Sequence, residues 1–141
     1  MTGIADFQLH RLHIELPLPI GDSQVRFTDH WMTVVELTDE SGRTGVGFEL
    51  QQGLPTAGLA QSRTQFEHAH WPTLQGREPV SQVLKLSRPR GGNVGAVPLP
   101  TAVETALWDI AGKQLEQPLY RLFGGTDPKV RAYGSTLDFH L

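Results

Sequence analysis

AVETALWDIAGKQLEQPLYRLFGG (102–125) is the stretch whose reading decides the fold. Val103, Ala106, Leu107, Ile110 and Ala111 recur at helical spacing and define one apolar face, with Leu115 at its margin. Thr101 stands three residues ahead of Glu104, the spacing of a capping box in which hydroxyl and carboxylate each satisfy a free N–H at the helix start. Asp109 and Lys113 lie one turn apart on another face and can pair. Pro118 disfavours helical backbone at the residue before it, so the helix ends at Gln117 or earlier. Leu119 to Phe123 gives one more turn, and Gly124 supplies a left-handed exit. Val130, Ala132 and Gly134 then alternate before Leu137, which predicts a strand over 129–139.

Upstream, apolar anchors from Phe7 to Leu16 predict a first strand, and PLPIGDSQVRFTDH (17–30) reads as a loop because of its prolines, glycine and aspartates. WMTVVELT (31–38) is β-branched and apolar, DESG (39–42) is a turn, and RTGVGFEL (43–50) returns as the hairpin partner. Gly45 and Gly47 share one face of that third strand, which marks a close backbone approach or a bulge. Helices are predicted over Ala57–Trp71 and Val80–Leu86, separated by punctuation at Gly76 and Pro79 and followed by a Gly/Pro-rich connector (87–100). Strands followed by helices mean an α+β fold: a three-stranded antiparallel meander on a small helical bundle. The last strand has no place in that meander, and one strand cannot form a sheet alone.

Composition narrows the function classes. The 141 residues are 38% hydrophobic and 19% charged with net charge −3, so there is no basic footprint for nucleic acid. With no cysteine, disulfides and thiolate metal sites are excluded. The N-terminal residues lack the pattern of a secretory signal, and no stretch is long enough to span a bilayer, so the cytoplasm is the expected compartment.

Several residue groups invite sharper readings. His10 and His13 fall on opposite faces of a strand, and His68 and His70 are separated by about 200° on a helix. Neither pair chelates readily, and no spacing fits a zinc set. RPRGGNVG (88–95) lacks the preceding strand and the Gly-Lys-Ser/Thr of a phosphate loop and reads as a connector. Trp108 is expected to pack between helices. Glu49, at a strand end, is read as a hydrogen-bonded structural carboxylate ahead of a catalytic acid.

The motifs GRTGVGFE (42–49), GREP (76–79), AVETALWDIAGKQLEQPLYRLFGG (102–125) and VRAYGS (130–135) together resemble the enolase superfamily, in its mandelate racemase / muconate lactonizing enzyme branch. The resemblance implies a capping domain over residues 1–125. Residues 126–141 would then be the joint and first strand of a (β/α) barrel that is not contained in this sequence. The implied reaction is magnesium-assisted abstraction of the proton α to a carboxylate, with metal ligands and catalytic bases on later barrel strands. No catalytic residue and no metal ligand is therefore carried over, and the 141 residues alone are expected to be inactive. The implied chemistry is a dehydratase or racemase of a hydroxy acid or acid sugar, with a cycloisomerase as the rival.

What the resemblance does carry over is substrate enclosure by two loops, here Pro17–His30 and Leu50–Gly58. A lid of this kind excludes water and selects the distal group of the substrate. Arg26 would grip a carboxylate or hydroxyls. Ile20, Val25 and Phe27 would give an apolar wall, and Asp22, Thr28 and Asp29 would meet hydroxyls. Leu50, Gln52 and Leu54 belong to the second loop. Asp138 and His140 follow the last strand, where barrel sites form, and are read either as substrate contacts or as a frayed terminus. The implied partners are a barrel domain, from the same gene product or a separate chain, a small carboxylate substrate and a second copy of the chain. Nucleic acid and membrane are not expected partners. The alternative is a non-catalytic binding or oligomerisation module, or one half of a split enzyme.

Overall fold

A computed structural model describes residues 2–21, 24, 26–52, 58–86 and 101–133. Three strands, β1 (Ile4–Gly21), β2 (Arg26–Asp39) and β3 (Thr44–Gln52), form an antiparallel sheet in the order β1-β2-β3. Among the described residues five helices follow: α1 (Leu59–Ala69), α2 (Trp71–Leu74), α3 (Pro79–Leu86), α4 (Thr101–Gln114) and α5 (Leu119–Leu122). This is the α+β cap that the sequence predicts.

The strands are longer than predicted. Most of 17–30 is not loop: β1 continues to Gly21 and β2 begins at Arg26. The prolines misled because they occupy an edge strand, where a missing N–H costs no ladder bond. The irregularity they impose is local. Pairing jumps from Glu15↔Asp29 to Ile20↔Phe27, so β1 holds extra residues against β2 and bulges outward.

The first helix is shorter than predicted and breaks at His70, because Pro72 lacks the N–H that would continue the ladder into α2. Thr101 lies inside the first turn of α4 rather than ahead of it. The expected capping-box position is therefore displaced, and residue 100 lies outside the described residues.

The core sits between the base of the sheet and α4. Phe7, Val35 and Leu37 meet Phe66, Leu74 and Val83 from the smaller helices and Val103, Ala106, Leu107 and Ile110 from α4. The close approach predicted at Gly45 and Gly47 is present. A Cβ at Gly45 would overlap the Ala106 carbonyl and come within 2.6 Å of Ile110 Cβ, and one at Gly47 would overlap the Ala102 carbonyl and lie 2.6 Å from Ala106 N. The helix therefore lies directly on the strand backbone. Asp109 and Lys113 pair at 2.8 Å as predicted. They also reach β3: Asp109 accepts from Val46 N–H, and Lys113 donates to the Thr44 carbonyl, both at 2.8 Å. Trp108 packs edge-on against Phe123, 4.8 Å between centroids.

Both helix exits are Schellman turns. After α4, Gln117 N–H reaches the Gly112 carbonyl and Glu116 takes the left-handed position at φ 53°, where glycine is usual. After α5, Gly124 takes that position at φ 83°, and Gly125 N–H reaches the Tyr120 carbonyl. Lys129–Tyr133, the described part of the predicted last strand, pairs with none of β1–β3 and is exposed.

Candidate functional site at the open end of the sheet

Cross-strand register decides which side chains share a face. Phe7, Leu9, Arg11, His13 and Glu15 of β1 stand opposite Leu37, Val35, Thr33, Trp31 and Asp29 of β2. Gly45, Gly47, Glu49 and Gln51 complete those rows on β3. This is the face that carries the helices. It is apolar at its base and becomes polar beyond Leu9 and Val35, where burial ends: no described residue from Gln8 to Val34 is buried.

Where the face turns polar, a cleft of about 190 Å³ opens between the sheet, α1 and the start of α4. Arg11 and Glu49 flank Thr33 on its floor, and Ser62 and His70 come from the helical side. Arg11 Nη2 donates to Ser62 Oγ at 3.0 Å. Gln51 Oε1 is shielded and has no hydrogen-bond partner among the described residues. Burial holds His70 below the ordinary imidazole value, which favours its neutral form. Glu49 is exposed and lines this cleft. The arrangement offers one cation, one carboxylate, an amide and an imidazole to a polar ligand. Among the described residues no group of three His, Asp or Glu side chains could hold a metal ion.

Further out, His13 Nε2 lies 2.9 Å from Asp29 Oδ2, and its ring stacks on Trp31 with centroids 4.3 Å apart. The stack and the hydrogen bond fix the imidazole between two strands. His13, Glu15, Leu16, Thr28 and Asp29 line a shallow depression beside the β1 bulge. Ile20 and Phe27 are a half-buried cross-strand pair, and Arg26, paired with Gly21, is exposed.

The predicted lid residues are thus divided. Ile20, Arg26, Phe27, Thr28 and Asp29 gather at the end of the β1–β2 ribbon. Leu50 pairs with Met32, so it belongs to the rows of the opposite face and does not join Asp29. Gln52 ends β3 opposite His30, and only its backbone is described. Asp22, Val25, Leu54, Asp138 and His140 lie outside the described residues, as does the connector RPRGGNVG. Arg11, His13, Trp31, Gln51 and His70 were missed as a group. The signal was available: in each strand the inward-facing positions switch from apolar to polar at the same row.

The strongest electrostatic feature stands at the other end of the sheet. The side chain of Asp39 is fully buried. Its Oδ1 accepts from the N–H groups of Ser41 and Arg43 at 2.9 Å and from Ser41 Oγ at 2.6 Å. Its Oδ2 accepts from Thr2 Oγ1 and Gln114 Nε2 at 2.8 Å. Burial alone would raise its pKa. The bonds from Ser41, Gln114, Thr2 and the Arg43 backbone outweigh that and hold it well below the usual carboxylate range. Asp39 thereby ties the N-terminal residues, the β2–β3 turn and the end of α4 to one point.

Comparison with known proteins agrees with this fold. The chain is 30% identical over 138 residues to 3,6-anhydro-alpha-L-galactonate cycloisomerase of Streptomyces coelicolor, covering 91% of this chain and 37% of that protein. Over 33 residues it is 58% identical to arabinonate dehydratase of Saccharolobus solfataricus, covering 23% of this chain and 9% of that one. Among solved structures, a Mesorhizobium loti protein provisionally named a mandelate racemase superposes with a TM-score of 0.84 at 37% identity, covering 99% of this chain and 36% of its own. A magnesium-bound racemase from Streptomyces coelicolor superposes at 0.73 with 26% identity, covering 98% of this chain and 40% of its own. The chain thus spans little more than a third of the length of the long-matching relatives. The profile of the mandelate racemase / muconate lactonizing enzyme N-terminal domain matches residues 12–124, and the chain belongs to that family, within the enolase superfamily.

Proposed function

We propose that this domain is the substrate-enclosing cap of an enzyme that abstracts the proton α to a carboxylate, acting as a dehydratase or racemase of a hydroxy acid such as an acid sugar. The family match over residues 12–124 carries this reading. The named relatives, a cycloisomerase, a dehydratase and an N-succinyl-L-Arg/Lys racemase, span the reactions such chemistry gives. Cycloisomerisation is the second reading, because one of the two named relatives aligned over most of this chain is a cycloisomerase and the other a racemase.

In this proposal the end of the β1–β2 ribbon closes over the substrate. Arg26 grips its distal polar group, Ile20 and Phe27 exclude water, and Asp29, oriented by His13, accepts from a hydroxyl. Magnesium would neutralise charge developing on the substrate carboxylate. The described residues do not fit a magnesium site, so its ligands and the catalytic bases are assigned to a barrel domain, in the same gene product or a separate chain. Residues 126–141 would be the joint and first barrel strand. A cytoplasmic location belongs to the same reading, and no described helix is long and apolar enough to cross a membrane.

The test is exchange of the α proton in heavy water with magnesium, using galactonate- and arabinonate-type acids. The 141 residues alone are expected to show none, and their complex or fusion with the barrel is expected to show exchange and turnover. Turnover by the 141 residues by themselves would overturn the reading, as would a complete enzyme that never exchanges that proton.

A further inference from the structure

The cleft between the sheet, α1 and the start of α4 is unevenly satisfied. Arg11, the one Arg or Lys among its described lining residues, turns Nη2 to Ser62 Oγ at 3.0 Å. The acceptors are not engaged in this way. Glu49 and Gln51 stand two apart on one face of β3, and both line the cleft. Gln51 Oε1 is shielded and has no hydrogen-bond partner. The Glu49 carboxylate is exposed, and no donor among the described residues holds it. His70 lines the same space from the helical side. Burial favours its neutral form, which keeps one ring nitrogen as an acceptor. Phe66 lies beside it, with ring centroids 5.7 Å apart, and adds an aromatic surface that attracts cations.

We propose that this cleft binds a primary alkylammonium group, with its N–H donors given to Glu49, Gln51 Oε1 and His70 and its stem laid along Val35 and Val103. An ammonium has three donors and no acceptor, which complements three unengaged acceptors. A carboxylate ligand would meet Glu49 with its own sign, and a neutral alcohol would draw nothing from the Glu49 charge. A metal ion does not fit, since no group of three His, Asp or Glu among the described residues could hold one. The size agrees. The cleft of about 190 Å³ equals about six water volumes, room for an amine of about four carbons. Val35 and Val103 supply the apolar side that such a stem needs. A free amine and a lysine side chain share this chemistry.

The inference goes beyond the proposed function, and its readout is binding, so its failure leaves that reading standing. Amide shifts of the ¹⁵N-labelled 141-residue chain are followed by NMR while n-butylammonium chloride is added at constant ionic strength. Saturable shifts are expected at Glu49, Gln51 and His70, with a Kd of roughly 1–10 mM, within the limit for so small a ligand. Glu49→Gln is expected to weaken binding about tenfold. Sodium butyrate and n-butanol, of matching size, are expected to leave those amides unmoved, and these two arms decide the matter if Glu49→Gln fails to fold. Nα-acetyl-lysine amide separates the sources: tighter binding than n-butylammonium identifies a lysine side chain, and equal or weaker binding a free amine. Absence of saturable shifts with both ammonium probes, unchanged affinity in a folded Glu49→Gln variant, or equal shifts with butyrate or butanol would each overturn the proposal.

Discussion

At its base the sheet lies against α4 with only glycine between them, while at its tip the same strands carry no buried residue at all. Both halves belong to the same three strands, so local β-propensity does not separate them. What differs is the partner. At the base, Gly45 and Gly47 admit a helix backbone and Asp39 fastens three segments together. At the tip, Pro17 and Pro19 fall in a bulge and the inward face is Arg11, His13, Glu49 and Gln51. The base is tightly packed, and the tip is the part that the proposed function assigns to enclosing a ligand. A lid needs both: a ribbon that closes over a ligand must be held firmly at one end only.

The contrast can be broken most severely at Gly47. Gly47→Val must push α4 off the strand, because its first added atom already overlaps the Ala102 carbonyl. A loss of about 3–5 kcal/mol is expected in urea denaturation. A loss under about 1 kcal/mol would show that α4 does not lie on β3 as described.

Asp39→Asn is expected to cost about 2–3 kcal/mol, since the donors from Ser41, Arg43, Thr2 and Gln114 lose their charged acceptor. The same site predicts a pH dependence. Its folded pKa is depressed, so its stabilisation is complete above the unfolded carboxylate value of about 3.9 and is lost as pH falls toward the folded one. Stability measured from pH 6 downward should therefore begin to fall near pH 4 in the wild type, with a shallower fall in Asp39→Asn.

Asp109→Ala removes an acceptor from Val46 N–H and a partner from Lys113, for an expected loss of about 1 kcal/mol. At the tip the expectation reverses. Arg26→Ala should change stability by no more than about 0.5 kcal/mol. In the complete enzyme it should raise KM with kcat little changed, which steady-state kinetics would read. A large stability loss at Arg26 would make the tip structural and weaken its assignment as a lid.

The main helix and its exits were legible in the sequence because their signals are local: periodic apolar residues, a proline and a glycine pair. The glycine spacing in β3 was equally readable, because a missing side chain on one face of a strand has few other causes. The ribbon beyond Leu16 was not legible. Whether a proline breaks a strand depends on whether that strand lies at an edge, and edge position is a property of the sheet. Asp39 was hidden for a related reason. DESG announces a turn, but the bonds from Thr2 and Gln114 span 37 and 75 positions, and no local pattern connects them. The candidate site was legible only as a region. The register, not the spacing, sends Asp29 and Leu50 to opposite faces.

The reach of Asp109 and Lys113 to β3 has a consequence for what this protein avoids. The amide of Val46 and the carbonyl of Thr44 point away from β2 and would otherwise be available to template a fourth strand. With both occupied by side chains of the helix, a foreign strand arriving there finds its docking positions taken. Pairing at this end of the β3 edge would have to displace both side-chain hydrogen bonds.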